Sequence, residues 1–179
     1  MLLVKEDGSG LEGANTYALP EDVDPYAQIY NWTTWLNTTD AQSKESACAR
    51  ATMFLDLFPN LYGKLNEVQT LTFPLIIHEE VELEKRIPKN LKLAHAIAAN
   101  IELENPNSLL RLEKKNSAQL HSTELKNVTK KQYFKTTVKD WYPLDASPII
   151  FQLMKVYLPQ YLIELMGQGE VMIARRFYK

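Results

Sequence analysis

EDGSGLEGANTY, residues 6–17, is the stretch that decides between two folds. Its GSGLEG fits GxGxxG, the loop that joins a buried strand to a helix in dinucleotide-binding α/β proteins, where free helix amides hold the pyrophosphate. That reading needs a helix opening at the third glycine. After Gly13 comes ANTYALPEDVDP, with two prolines and three acids, and Glu6, Asp7 and Glu12 would set negative charge beside a phosphate. A lone GxGxxG is a weak signal, and here its context fails. Gly8, Gly10 and Gly13 instead read as turn-formers that lead the apolar run Leu2–Val4, together with Asn15 and Tyr17, back onto the rest of the molecule.

The rest of the pattern is helical. A first segment, about Asp24 to Leu36, has Asp24 to cap, Pro25 at the first helical position, and Tyr26, Ile29, Tyr30 and Thr33 on one face. A second, about Asp40 to Phe58, opens on a Thr39–Gln42 capping box, carries the stripe Ala47, Ala51, Phe54, Leu55 and Phe58, and stops at Pro59. A third, about Pro88 to Leu103, turns Leu91, Ala94, Ala98 and Ile101 inward, and its small residues predict a close helix neighbour. The fourth opens at Ser147-Pro148, carries Ile150, Phe151, Met154, Tyr157 and Leu158, and meets Pro159.

Between the second and third, QTLTFPLIIHEEVELEKR reads as extended, with a short hairpin. Between the third and fourth, AQLHSTEL and KQYFKTTVK flank Lys126-Asn127 and read as a second hairpin. The expected fold is therefore mainly α: a small bundle of about four helices with an extended N-terminal arm (1–20), a basic β-hairpin (113–140) and an extended C-terminal tail (159–179), the unit 1–158 forming one domain.

Composition bounds the function. The 179 residues are 45% hydrophobic and 23% charged, which fits one globular domain and excludes a low-complexity chain. A net charge of −2 gives no global drive toward nucleic acid or membrane, so any such role needs a local patch. Charge is polarised along the chain: the first 58 residues hold nine acids against three basic residues, whereas Glu113 to Asp140 holds seven lysines against three acids. The N-terminus lacks the long apolar stretch of a signal peptide and no apolar run reaches membrane-spanning length, so a soluble protein in a reducing compartment is expected.

No catalytic or cofactor constellation emerges. Cys48 is a lone cysteine on a helical face beside Ala47 and Ala51, and reads as a small buried thiol. His78, His95 and His121 lie on different segments with no ligand spacing; His78 reads as part of a solvated edge and His95 as a helix-flank residue. No metal, cofactor or enzymatic activity is expected. Lys126, Lys130, Lys131 and Lys135, near Tyr133 and Phe134, have the charge and aromatic content of a single-strand binder, against the plainer reading of lysines that guard a hairpin edge. Trp32 and Trp35 read as core or interface anchors. The C-terminal Val171, Met172, Ile173, Arg175, Arg176, Phe177 and Tyr178 form an apolar and basic docking segment.

Four stretches in this order resemble one family: EDGSGLEGANTY, ESACARATMFLDLF, QTLTFP and IPKNLKLAHAIAANIEL. It is the tailed-bacteriophage head-to-tail connector, or adaptor, family, whose members are often labelled DnaT-like single-stranded DNA-binding proteins. The resemblance covers about residues 4 to 104, and more loosely extends to Leu158; it departs at Leu75, where members usually place arginine. It implies a structural virion protein of the neck, assembled in the host cytoplasm. Identical copies, about twelve, would form a ring by heterologous contacts. Its partners would be the portal, tail or tail-completion proteins and the packaged DNA passing through the channel, with no membrane. On that reading the tail residues 171–178 dock on the portal, and the four hairpin lysines face a neighbour or the DNA channel. The alternative is a replication-type single-stranded DNA-binding protein that uses the basic hairpin.

Overall fold

The computed structural model describes residues 2–58, 60–109 and 147–158. Within them the protein is a small helical bundle: α1 (Pro20–Tyr30), α2 (Thr33–Asn37), α3 (Ala41–Asp56), α4 (Lys89–Glu104) and α5 (Pro148–Met154), with short 3-10 turns at Ile76–His78, Leu83–Lys85 and Lys155–Tyr157. The two long helices, α3 and α4, pack most extensively, and α1, α2 and α5 all lean on α4. Alanines make this possible. Ala47 and Ala51 on α3 and Ala94, Ala98 and Ala99 on α4 are fully buried, and such short side chains let the two backbones approach closely. Trp35, Phe54, Leu55 and Leu91 fill the remaining space, each contributing on the order of 1.5–3 kcal/mol by leaving water. The basic hairpin 113–140, with Lys126, Lys130, Lys131 and Lys135, and the tail 159–179 lie outside the described residues.

Two expected boundaries move, each for a local reason. The first helical segment is two helices. α1 starts earlier, with Pro20 at its first position and Asp22 accepting from the Leu19 amide at 2.8 Å, so Pro25 falls inside it on the exposed side. It ends at Asn31, which is left-handed (φ 53°). The amides of Asn31 and Trp32 return to the Gln28 and Ala27 carbonyls, which closes the helix end, and α2 starts again at Thr33. In α3 the cap is Asp40 rather than Thr39: its carboxylate accepts from the Gln42 and Ser43 amides and from the Ser43 hydroxyl.

The stretch 69–86 is not a hairpin. Its only ladder contact among the described residues is an isolated antiparallel bridge, Lys64 to Leu75. Side chains supply what a strand partner would have supplied. The Gln69 amide group donates to the carbonyls of Leu71, Thr72 and Pro74 around a cis Phe73–Pro74 bond, while the amides of Thr72 and Phe73 donate to Asp56 and to the Tyr17 hydroxyl. With its backbone satisfied in this way the segment coils over the bundle, and Leu71, Phe73 and Leu75 enter the core.

Candidate nucleic-acid interface

The glycine loop holds an anion, and the anion is the protein's own. Glu6 is almost fully buried, and its carboxylate accepts from the amides of Gly8 and Gly10, both at 2.9 Å, and of Leu11 at 2.8 Å. Successive amides in such a turn form a concave nest for negative charge. Gly8 and Gly10 have φ of +100° and +76°, and a side chain on Gly8 would meet the Leu83 carbonyl at 2.3 Å. The amides that a dinucleotide would need are thus already occupied. Glu6→Ala should leave three amides without an acceptor and open the arm by about 1–3 kcal/mol. Hydrogen exchange at Gly8, Gly10 and Leu11 reads this directly, and unchanged protection would show the carboxylate to be dispensable.

Asn15 and Tyr17, which also carry the family resemblance, turn inward, as does Leu75. Asn15 ties the arm to itself, accepting from the Val4 amide at 2.8 Å and donating to the Leu2 carbonyl at 3.1 Å. Tyr17 is fully buried, with its hydroxyl donating to Asp56 and its ring edge-on to Phe73. Burial raises the pKa of both groups; beside Asp56 the Tyr17 phenol is pushed well above its ordinary range. Arm, α3 and the 69–75 coil are therefore locked by one network of Tyr17, Thr52, Asp56 and Gln69. Leu75, at the family's usual arginine position, is a core residue. Asn15, Tyr17 and Leu75 thus serve the fold, while Asp7, Ser9 and Glu12 of the first motif and Met53 of the second are exposed.

Two histidines sit elsewhere than expected. His95 is fully buried on α4, its Nε2 3.0 Å from Thr52 Oγ1 and 3.1 Å from the Cys48 carbonyl. His78 is half-buried in a 3-10 turn, where its Nδ1 accepts the Leu75 amide and its ring stacks on Phe73. Cys48 is buried as expected, and burial, with Asp22, Asp24, Glu21 and Glu45 nearby, pushes its thiol up to about 12. A thiolate is therefore scarce near neutrality. Among the described residues no group of three or more His, Cys, Asp or Glu side chains could hold a metal, and no helix is long and apolar enough to cross a membrane.

Electrostatics separate the described bundle from the rest of the chain. Residues 2–58, 60–109 and 147–158 contain nine basic and sixteen acidic residues, a formal −7; the segments 110–146 and 159–179 contain eleven basic and six acidic, a formal +5. Most of the bundle's cations are also engaged. Lys5 pairs with Asp22 at 2.7 Å, Lys44 with Asp24 at 3.5 Å, Arg50 with Glu102 at 2.8 Å and Lys85 with Glu82 at 2.6 Å. Lys64 donates to the Gln69 and Thr70 carbonyls, and Arg86 to those of Val81 and Glu79. A net-negative bundle with most of its cations paired offers a phosphate backbone little long-range attraction.

A small helical body carrying a strongly basic remainder is the class of protein that these observations define. A family model described as "Putative DnaT-like ssDNA binding protein" matches residues 1–176, and the chain belongs to that family. No curated relative and no solved structure matches it. The match corrects the head-to-tail adaptor function expected above, because the family's description is of single-stranded DNA binding, which was the alternative. The physical reason for the misreading lies in the motifs. Glu6, Asn15, Tyr17, Asp56 and Gln69 specify how the arm and coil fold, so the fold markers they provide are silent on what the surface binds.

Proposed function

We propose that the protein binds single-stranded DNA through its lysine-rich segment, with Lys126, Lys130, Lys131 and Lys135 contacting phosphates. The helical bundle serves as the scaffold to which that segment is joined, at Leu109 and Ser147. One observation carries the reading beside family membership: the described bundle is acidic and its cations are largely occupied, so the positive charge free to meet a backbone is concentrated in 110–146 and 159–179. The attachment is built for support. On one side, the buried Glu102 carboxylate fixes the amides of Asn107 and Leu109 at 2.6 and 2.8 Å. On the other, Ser147 caps α5, which packs on α4.

Counterion release supplies the test. Each single-strand phosphate contact adds about −0.7 to the slope of log affinity against log salt, so four contacts weaken binding about 50-fold between roughly 50 and 200 mM salt. Fluorescence anisotropy with a labelled oligodeoxythymidylate should show this steep slope in the full chain. The quadruple variant K126A/K130A/K131A/K135A should lose most of it. Binding that is insensitive to salt, or a quadruple variant with the parent slope, would sink the proposal.

A further inference from the structure

The sharpest surface feature among the described residues is an aromatic step that charge does not explain. Residues 25–39, PYAQIYNWTTWLNTT, contain no charged side chain, in a chain that is 23% charged. The left-handed turn at Asn31 folds this window into the corner between α1 and α2. There the Tyr30 and Trp32 rings stack on each other, with centroids 5.6 Å apart and planes 21° from parallel. Trp35 is buried, but Trp32 is only partly covered, Tyr30 is 52% exposed and Ile29 is 74% exposed. Gln28 and Asn31, exposed beside the rings, offer amide donors and acceptors.

We infer that this corner is a base-stacking subsite for unpaired nucleobases, an inference that rests on the single-stranded DNA reading above and extends it. Every base has a π-face, so an exposed aromatic step takes any base, while amides can meet base edges. A basic peptide or an anionic membrane would be met by charge, and this window has none. Two of the α1 carboxylates are already paired, Asp22 with Lys5 and Asp24 with Lys44 and the Trp35 indole, which limits their repulsion of a strand. The division of labour is then chemical: lysines of the basic segment take phosphates, and Tyr30 with Trp32 takes bases.

That division gives a signature. Stacking involves no counterion, so Tyr30→Ala with Trp32→Ala should weaken oligodeoxythymidylate binding by the full chain about 5- to 150-fold while leaving its salt slope unchanged. The Tyr30→Phe variant, which keeps the ring, should bind like the parent. Photo-crosslinking of the unaltered protein to oligonucleotide carrying 5-iodo-deoxyuridine needs no variant, and should place adducts on Tyr30 or Trp32. Parent-like affinity in the double alanine variant, or adducts confined to other residues, would overturn the inference while the steep salt slope of the parent left the DNA-binding reading standing. A loss of affinity accompanied by a change of oligomeric state in sedimentation would assign the corner to contact between copies and overturn it as well. No salt-dependent binding by the parent would remove both.

Discussion

Arg50→Ala should destabilise the fold by about 3–5 kcal/mol, because it strands a buried charge. Glu102 has no exposed surface, and its Oε2 receives the Arg50 Nε at 2.8 Å, while a second Arg50 nitrogen donates to the Glu102 carbonyl at 3.1 Å. Removing the guanidinium leaves a carboxylate that water cannot reach, with only the amides of Asn107 and Leu109 to stabilise it. Arg50→Lys should fall between the parent and the alanine variant, since an ammonium lacks the planar fork that reaches both oxygens. Replacing the pair together, with Arg50→Met and Glu102→Leu, should not restore the parent. The two amides would then lose their acceptor at about 1–3 kcal/mol each. Urea midpoints at constant m-value measure all three. A loss below about 1 kcal/mol for Arg50→Ala would mean that this pair is a solvated surface contact and that the exit of the basic segment is held by something else.

Neither of the buried carboxylates that organise the arm and the exit was legible in the sequence. Glu6 and Glu102 look like surface residues in composition, since acids are rarely buried without partners, and apart from Arg50, fifty-two residues from Glu102, their partners are backbone amides that no side-chain pattern records. A signal for Glu6 did exist. An acid followed by glycines at the second and fourth positions places permissive backbone around a carboxylate; the glycines read as turn-formers, and the acid only as a charge unsuited to a phosphate. The long helices α3 and α4 were legible because apolar periodicity and flanking turn residues agreed with each other. The break at Asn31 was not, because the stripe Tyr26, Ile29, Tyr30 and Thr33 continues across it; only an asparagine able to adopt a left-handed turn, followed by a large apolar residue, announced it. The same break leaves Trp32 only partly covered and stacked on Tyr30, a pairing that the reading of Trp32 as a core or interface anchor did not show. The stretch 69–86 misled for the opposite reason: its β-type composition reflected burial of Leu71, Phe73 and Leu75, and Gln69 replaced the partner strand.

Acid should loosen the bundle through His95 well before most carboxylates titrate. Burial lowers the His95 pKa from 6.5 to about 4, although the Cys48 carbonyl opposes the shift. The geometry explains why the neutral ring is preferred. Nε2 faces the Cys48 carbonyl, which only accepts, so it carries the proton, and Nδ1 is a buried atom with no partner among the described residues. A second proton would sit on that nitrogen with no acceptor among the described residues. Because the folded pKa lies below the unfolded one, the unfolded chain binds the proton more readily, so the stabilisation is fully present above pH 6.5 and is lost as pH falls toward 4. The loss amounts to roughly 3 kcal/mol. Asp56 acts in the other direction: its raised pKa favours the fold at low pH and gives that up as pH rises through the shifted value. The wild-type curve therefore mixes the two, and the share due to His95 is read as the difference between the parent and His95→Gln, whose neutral side chain should flatten the slope between pH 4 and 6.5. Proton NMR of the His95 ring tests the cause itself. A ring that titrates near 6.5 in the folded protein would show that water or an acceptor reaches Nδ1, and the buried contact of α4 with Thr52 and Cys48 would then no longer account for acid sensitivity.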